Sequence, residues 1–461
     1  MFSYIIRRLL LMVPTLLGIT IVVFVTMAAS PGGITAQSLV EGFGMNPQEK
    51  AALKAYYNRR YGLDKPAPVQ YLRWLNNVSP IGFEVDEDGS LGHFSWHKGI
   101  DLGESFLYGR PVSEILGERV PITLLLNVLT IPVIYLISIL VGVRAAVDRG
   151  GSFDISSSIV MLALWSVPTM LVGVLLIGFF ASEQYWHWFP PSGLSAREAL
   201  DMPFMPHWSS LLDVFKLLLG LLAGLAGGVA LGRWRHALGR RLLASLLGIL
   251  LAVWMMVALP PQAFSWWAVF WVAVILAGML YALAGSDYEL LRVGAFAVGG
   301  LCLGGVLGAA WGDQGFMRGF LLDRAWHLVL PVFCLSYGGF AFLARLTRSA
   351  VLENLQADYA RTARAKGVPE KDVLWVHVFR NSLLPLITVF AGLLPGLLGG
   401  SVIVESIFSI DGMGKLAVEA VKGRDREMVL SITLISGFLT LLGYLLTDLL
   451  YAVADPRVSY D

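Results

Sequence analysis

The chain has 461 residues, of which 56% are hydrophobic and 15% charged, with a formal net charge of +1 and a mean hydropathy of +0.68. Soluble domains carry about 25% charged residues, so the composition excludes an ordinary soluble protein and indicates a polytopic membrane protein. The basic residues gather at the ends of apolar runs, which excludes a nucleic-acid-binding face; Cys302 and Cys334 lie inside apolar runs and read as packing residues, not as a disulfide or metal framework.

A membrane-crossing helix needs about 20 mainly apolar residues, and such stretches are expected near 9–29, 121–144, 155–181, 214–231, 242–259, 264–284, 291–311, 327–344, 383–407 and 428–453. The first follows Arg7 and Arg8 and precedes Ala28, Ala29 and Ser30, a pattern shared with signal peptides. Its length favours an uncleaved helix over residues 1–30. Residues 31–120 then read as an extracytoplasmic domain, with Asn46-Pro47 opening a helical run and an acidic turn at Glu84, Asp86, Glu87 and Asp88. It is either a solvated cap or a docking surface for a soluble partner.

Residues 121–195 hold two further spans, and residues 196–320 four more. Two of those four carry glycine at every fourth position, Gly220, Gly224 and Gly228, then Gly300, Gly304 and Gly308. That spacing lets helix backbones approach closely, so the four are expected to pack as an auxiliary bundle at the periphery, away from any pathway. An even number of crossings returns the chain to the side it left. Residues 321–461 supply the last three spans.

Between the eighth and ninth spans runs Glu353–Pro385, ENLQADYARTARAKGVPEKDVLWVHVFRNSLLP. Good helix formers fill 353–366, Gly367 stands where a helix ends in a left-handed turn, and Pro369 suits the first turn of a second helix with Glu370 and Asp372 near its positive end. The pattern predicts helix, sharp turn, helix. Arg345, Arg348, Arg361, Arg364, Lys366, Lys371 and Arg380 make this the densest cationic cluster of the chain. With a cytoplasmic N-terminus it joins Arg7, Arg8, Arg144, Arg149, Arg233, Arg235, Arg240, Arg241, Arg292 and Arg457 on the inner side, against Arg197, Arg318, Arg324, Lys415, Lys422, Arg424 and Arg426 in the short outer segments. Basic residues in short loops mark the cytoplasmic side, so both termini are expected there. The segment then lies against the inner membrane face, either as an amphipathic helix held by anionic membrane lipid or as a knob, carrying Tyr359 and Ala363, that enters a cleft of a partner.

The order Asp358-Tyr359, Arg361-Thr362-Ala363-Arg364-Ala365-Lys366-Gly367, Val373-Leu374, His377, Arg380-Asn381 and Leu383-Leu384-Pro385 resembles the cytoplasmic loop signature of binding-protein-dependent ABC importer permeases, more narrowly the dipeptide and oligopeptide (peptide, nickel and opine) branch. Further resemblances run from Tyr4 to Gly18, Tyr61 to Pro66, Val69 to Leu75, Asp101 to Ser105, Gly109 to Val112, Glu405 to Phe408, Gly412 to Gly414, Asp448 to Tyr451 and Asp455 to Arg457. They cover about residues 1–195 and 325–461.

The resemblance implies an all-α polytopic membrane protein: a type I importer core of six transmembrane helices, here with about four inserted. It implies a permease subunit that forms half of a pathway for di- or oligopeptides or related solutes. The implied partners are a second homologous permease, two cytoplasmic ABC ATPase subunits and an extracytoplasmic solute-binding protein. By position Asp358, Tyr359, Arg361, Thr362, Ala363, Ala365, Lys366 and Gly367 would form the ATPase contact, Gly367 through backbone geometry. Two departures from the wider family, Arg361 where Glu is usual and a longer spacing from Gly367 to Pro385, fit the peptide branch.

No nucleotide-binding loop is found, since Gly414-Lys415 is followed by leucine and the earlier glycine position is Ser409. ATP hydrolysis is therefore expected in separate subunits, with no cofactor or metal here; His93, His97, His187 and His207 lack metal spacing. Asp448, inside the last span, is expected to pair with a neighbouring helix or to line a polar path. The alternative is a self-contained secondary transporter or channel, for which inverted repeats would be expected. The sequence shows no convincing internal repeat.

Overall fold

The computed structural model describes residues 2–30, 46–85, 91–205, 207–208, 211–258, 266–286, 289–310, 316–317 and 319–454. In chain order it contains α1 (Phe2–Ala29), α2 (Pro47–Tyr61), α3 (Ala67–Val78), the antiparallel hairpin β1 (Gly82–Val85) and β2 (Leu91–Ser95), α4 (Val112–Val147), α5 (Ser152–Ser166), α6 (Thr169–Leu176), α7 (Leu211–Arg233), α8 (Ala237–Ala258), α9 (Trp266–Ala284), α10 (Glu289–Ala310), α11 (Gly319–Gln356), α12 (Asp358–Ala365), α13 (Glu370–Asp372), α14 (Phe379–Ile407), α15 (Met413–Lys422) and α16 (Arg426–Ala454). Among the described residues six helices are long and apolar enough to cross a membrane, or seven if one bent pair counts as a span. The expected acidic turn at Asp86, Glu87 and Asp88, and the match from Asp455 to Arg457, lie outside the described residues.

Two compact units emerge, Met1–Gly173 with Pro331–Asp461, and Val174–Leu330. In the first, the α4, α5, α11 and α14 helices meet around Ile134, Met161, Tyr337, Phe340, Leu343 and Leu386. A second core joins Val112, Ile115 and Leu116 of α4 to Met413, Leu416 and Ala420 of α15 and Met428 and Ile432 of α16. Close approach of α4 and α11 depends on Gly142, where a Cβ would lie 2.7 Å from the Ala344 carbonyl oxygen.

The single span expected over 155–181 is not one helix. The chain breaks between α5 and α6 at Val167-Pro168 and bends by 93°. A residue before proline is pushed out of the helical region, and Val167 sits at φ −85, ψ 127. The carbonyl that the break releases is satisfied at once, because the Tyr337 hydroxyl donates to Val167 O at 2.7 Å.

The segment from Asn46 to Pro111 is fastened to the start of α16 by buried polar groups. Asp425, fully buried, accepts hydrogen bonds from Ser105 Oγ (2.5 Å), Leu107 N–H (3.1 Å) and Met428 N–H (3.1 Å). Burial pushes its carboxyl pKa up, against the pull of those donors. Beside it Arg426, also buried, pairs with Glu427, donates to Gln70 Oε1 at 3.2 Å and lies 5.8 Å from the centre of the Tyr61 ring. About three turns into α4, Thr123 Oγ1 donates to the buried Glu405 (2.9 Å), which also accepts Lys415 N–H (2.9 Å). At the other end of α16 Asp448 does pair with a neighbouring helix, at 3.0 Å from Arg8 of α1.

The second unit is built differently. The α7 and α10 helices pack through the two glycine series, antiparallel: a Cβ at Gly220 would lie 2.9 Å from the Cα of Gly308, and one at Gly224 2.9 Å from the Cα of Gly304. The backbones are thus in contact, as the spacing predicted. The α8 and α9 helices pair likewise at Gly248 and Ala277. Orphan carbonyls at the helix ends are capped by arginine: Arg240 donates to Ala284 O (2.7 Å) and Trp234 O (2.5 Å), and Arg292 to Gly232 O (2.7 Å) and Ser286 O (2.6 Å).

These contacts contain a repeat. A shift of 52 residues relates the arginine caps of α8 and α10. The same shift puts Arg240 on Arg292, Trp234 on Ser286, Gly232 on Ala284 and Gly248 on Gly300, so each arginine caps its own loop and the first helix of the other hairpin. The correspondence is confined to these two hairpins. Few identities survive between the copies, and most positions demand only apolarity, which hides the repeat from the sequence.

Candidate functional site

The 353–385 segment begins inside a helix. α11 runs on from its apolar stretch to Gln356, Ala357 breaks it with φ −67, ψ 152, and α12 follows. The single helix expected over 353–366 is thus two, joined at a kink. Gly367 ends α12 at φ +77, the left-handed conformation the sequence predicted, with its N–H on Arg364 O (2.9 Å) and Val368 N–H on Ala363 O (3.2 Å). Pro369 then opens α13, which continues as a π-helical stretch, Val373–Val378, directly into α14. The second helix of the expected pair is therefore the end of a membrane helix.

The chain's own packing decides what α12 offers to solvent. Ala360 and Ala363 are buried, as are Val373, Leu374 and Val378 of the π-helical stretch against which α12 lies. Alanine there lets the short helix sit close while losing little side-chain entropy. Asp358, Tyr359, Arg361, Thr362, Ala365, Lys366 and Gly367 are exposed, and Ala363 is turned inward. Arg361 lies 3.6 Å from Asp358, and Thr362 Oγ1 donates to Asp358 O at 2.8 Å.

Residues outside the expected set hold this helix. Arg364 grips Glu370 across the Gly367 turn, with Nη2 on Oε1 at 2.7 Å and Nε on Oε2 at 3.0 Å, and donates Nη1 to Leu355 O at 3.2 Å. The hydrogen bond to Glu370 raises the pKa of the Arg364 guanidinium. Tyr359 is held from its hydroxyl, which donates to Asn354 Oδ1 at 2.5 Å. Arg348, deeper in α11, pairs with Asp154 at the start of α5. Nothing in the sequence spacing pointed to Arg364–Glu370, Asn354 or Asp154.

A multi-helix membrane core that carries a short, exposed, charged helix on a glycine turn is the arrangement of a polytopic membrane protein with an accessible loop helix. Comparison with known proteins makes this specific. Residues 216–460 match the family described as binding-protein-dependent transport system inner membrane component, and residues 1–127 match its N-terminal region. The chain belongs to that family. It is similar to the oligopeptide transport system permease protein AppB of Bacillus subtilis, 29% identical with all of both chains covered. It is also similar to the peptidoglycan transport system permease protein YejB of Agrobacterium fabrum, at 25% with all of this chain and 98% of that one covered. A putative peptide transport system permease protein of Brucella suis is 28% identical, again over all of both chains. The chain is a multi-pass inner-membrane permease subunit of an ABC importer, in a system that includes an ATPase and a binding protein.

Proposed function

We propose that this permease forms half of a translocation pathway for small peptides, di- or oligopeptides or close relatives, delivered by an extracytoplasmic solute-binding protein. It pairs with a second homologous permease, and two ATPase subunits power the assembly. Both termini are cytoplasmic, and α12 is the element that an ATPase grips, through Asp358, Tyr359, Arg361, Thr362, Ala365, Lys366 and the backbone at Gly367. Ala363 serves that contact from beneath, by seating the helix. The names of the peptide permeases similar to it over their full lengths support the solute class.

The observation that carries the coupling role is the join: α12 is continuous through one kink with α11 and through one glycine turn with α14. Displacing it pulls on both membrane helices. Gly367→Val tests this. A β-branched residue at positive φ costs about 1–3 kcal/mol, enough to deform the turn while the apolar helices still insert. The expected result is loss of ATP-dependent uptake with normal membrane insertion, read in vesicles holding the whole transporter. Normal uptake would sink the assignment, and transport without ATP would favour a secondary transporter instead. Mass spectrometry of ligand retained by the purified binding protein should find peptide.

A further inference from the structure

Beneath the exposed face of α12 a polar chain runs inward to two membrane helices. Tyr359 OH donates to Asn354 Oδ1 at 2.5 Å; Asn354 Nδ2 donates to Ala350 O at 2.8 Å and to Ser382 Oγ at 3.1 Å. Ser382 is 1% exposed, and its hydroxyl lies 3.2 Å from Ala350 O and 2.9 Å from Val378 O. One asparagine therefore joins three elements: α12 through Tyr359, its own helix α11, and α14 through Ser382.

The placement is unlike that of a residue that merely fills space. Asn354 is only half-buried, whereas apolar packing of α12 is already supplied by Ala360 and Ala363. Hydrogen bonds are short-range and directional, so the chain fixes the azimuth of Tyr359 relative to α11 and α14 in a way that alanine contacts do not. It also stands at the kink, within a few residues of Ala357, where α11 and α12 would otherwise swing independently. The carbonyl of Val378, at the junction of the π-helical stretch with α14, is drawn into the same set of contacts.

We propose that Asn354 and Ser382 are positioning residues that convert displacement of α12 into joint displacement of α11 and α14, with Tyr359 as the outer end of the relay. The inference rests on the coupling role proposed for α12. Without the relay the ATPases still dock and still hydrolyse ATP, but the membrane helices follow less faithfully.

The experiment compares uptake with ATP hydrolysis in the same proteoliposomes, holding the full transporter and its binding protein. Variants are Asn354→Ala, Ser382→Ala, Tyr359→Phe and, as the control for coupling itself, Gly367→Val. The expected result is solute moved per ATP hydrolysed falling about tenfold in Asn354→Ala, the size of a typical coupling energy, with hydrolysis little changed in that variant; the ratio falls less in Tyr359→Phe, whose hydrolysis is read separately because Tyr359 also belongs to the proposed ATPase contact. A structural defect would lower uptake and hydrolysis together and leave their ratio unmoved, which overturns the relay. Unchanged ratios in all three variants while Gly367→Val fails to transport would overturn the relay alone; normal transport by Gly367→Val would overturn the coupling role beneath it. Tyr359→Phe removes one hydroxyl from an exposed ring, so the ratio remains measurable even if Asn354→Ala fails to assemble.

Discussion

The two units of this protein hold their helices together by opposite means. In the unit formed by Met1–Gly173 and Pro331–Asp461, distant segments are tied by buried side chains: Asp425 to Ser105, Arg426 to Gln70, Glu405 to Thr123, Asp154 to Arg348. In the unit Val174–Leu330, α7 and α10 meet backbone to backbone at glycines, arginines cap the helix ends, and the buried Asp323 accepts the Ala196 N–H at 2.8 Å. Lipid gives apolar helices no hydrophobic reason to associate, so each unit needs a specific device. Side-chain networks fix directions and can transmit a change of charge or position. Glycine contacts fix a distance and little else. The first device belongs to the unit that carries α12, the second to the unit that carries α7–α10.

Four substitutions sharpen or break this contrast. The largest effect is expected from Arg426→Ala, which strands Glu427 inside the protein; removing one partner of a buried pair costs about 3–5 kcal/mol, and the first unit should unfold at clearly lower temperature in detergent. A wild-type melting profile would show that the buried pair contributes nothing. Next, Gly224→Val inserts a side chain where a Cβ already lies 2.9 Å from a backbone atom of α10. Overpacking of this kind costs about 1–3 kcal/mol, and cysteine crosslinking between α7 and α10 should fall while ATP-dependent uptake persists. The smallest pair of effects, about 1 kcal/mol each, belongs to Arg240→Ala and Arg292→Ala; the repeat requires them to be similar, and a large effect from one alone would break the equivalence of the two hairpins.

What could be read from the sequence follows the same division. Close approach along Gly220, Gly224 and Gly228 was legible because glycine periodicity has one structural meaning at membrane depth, and the left-handed turn at Gly367 because only glycine tolerates it cheaply. The family signature located α12 but made Ala363 a contact residue, since a motif lists positions without saying which way they face. The bend at Val167-Pro168 was missed because hydropathy is unchanged across it, although proline was in plain view. Arg426 was counted as a loop charge in the sequence. Its burial depends on Gln70 and Tyr61 meeting around it and its neighbour Glu427, and the contacts with Gln70 and Tyr61 span hundreds of residues and leave no local trace.

The exchange of partners between the α7–α8 and α9–α10 hairpins has a consequence for synthesis. Chains emerge N-terminus first, so α7 enters the bilayer with its glycine face bare, and its partner α10 is not made until α8 and α9 have followed. Neither hairpin is a finished object when it leaves the ribosome. The first must wait in the membrane, unpaired, for a copy of itself.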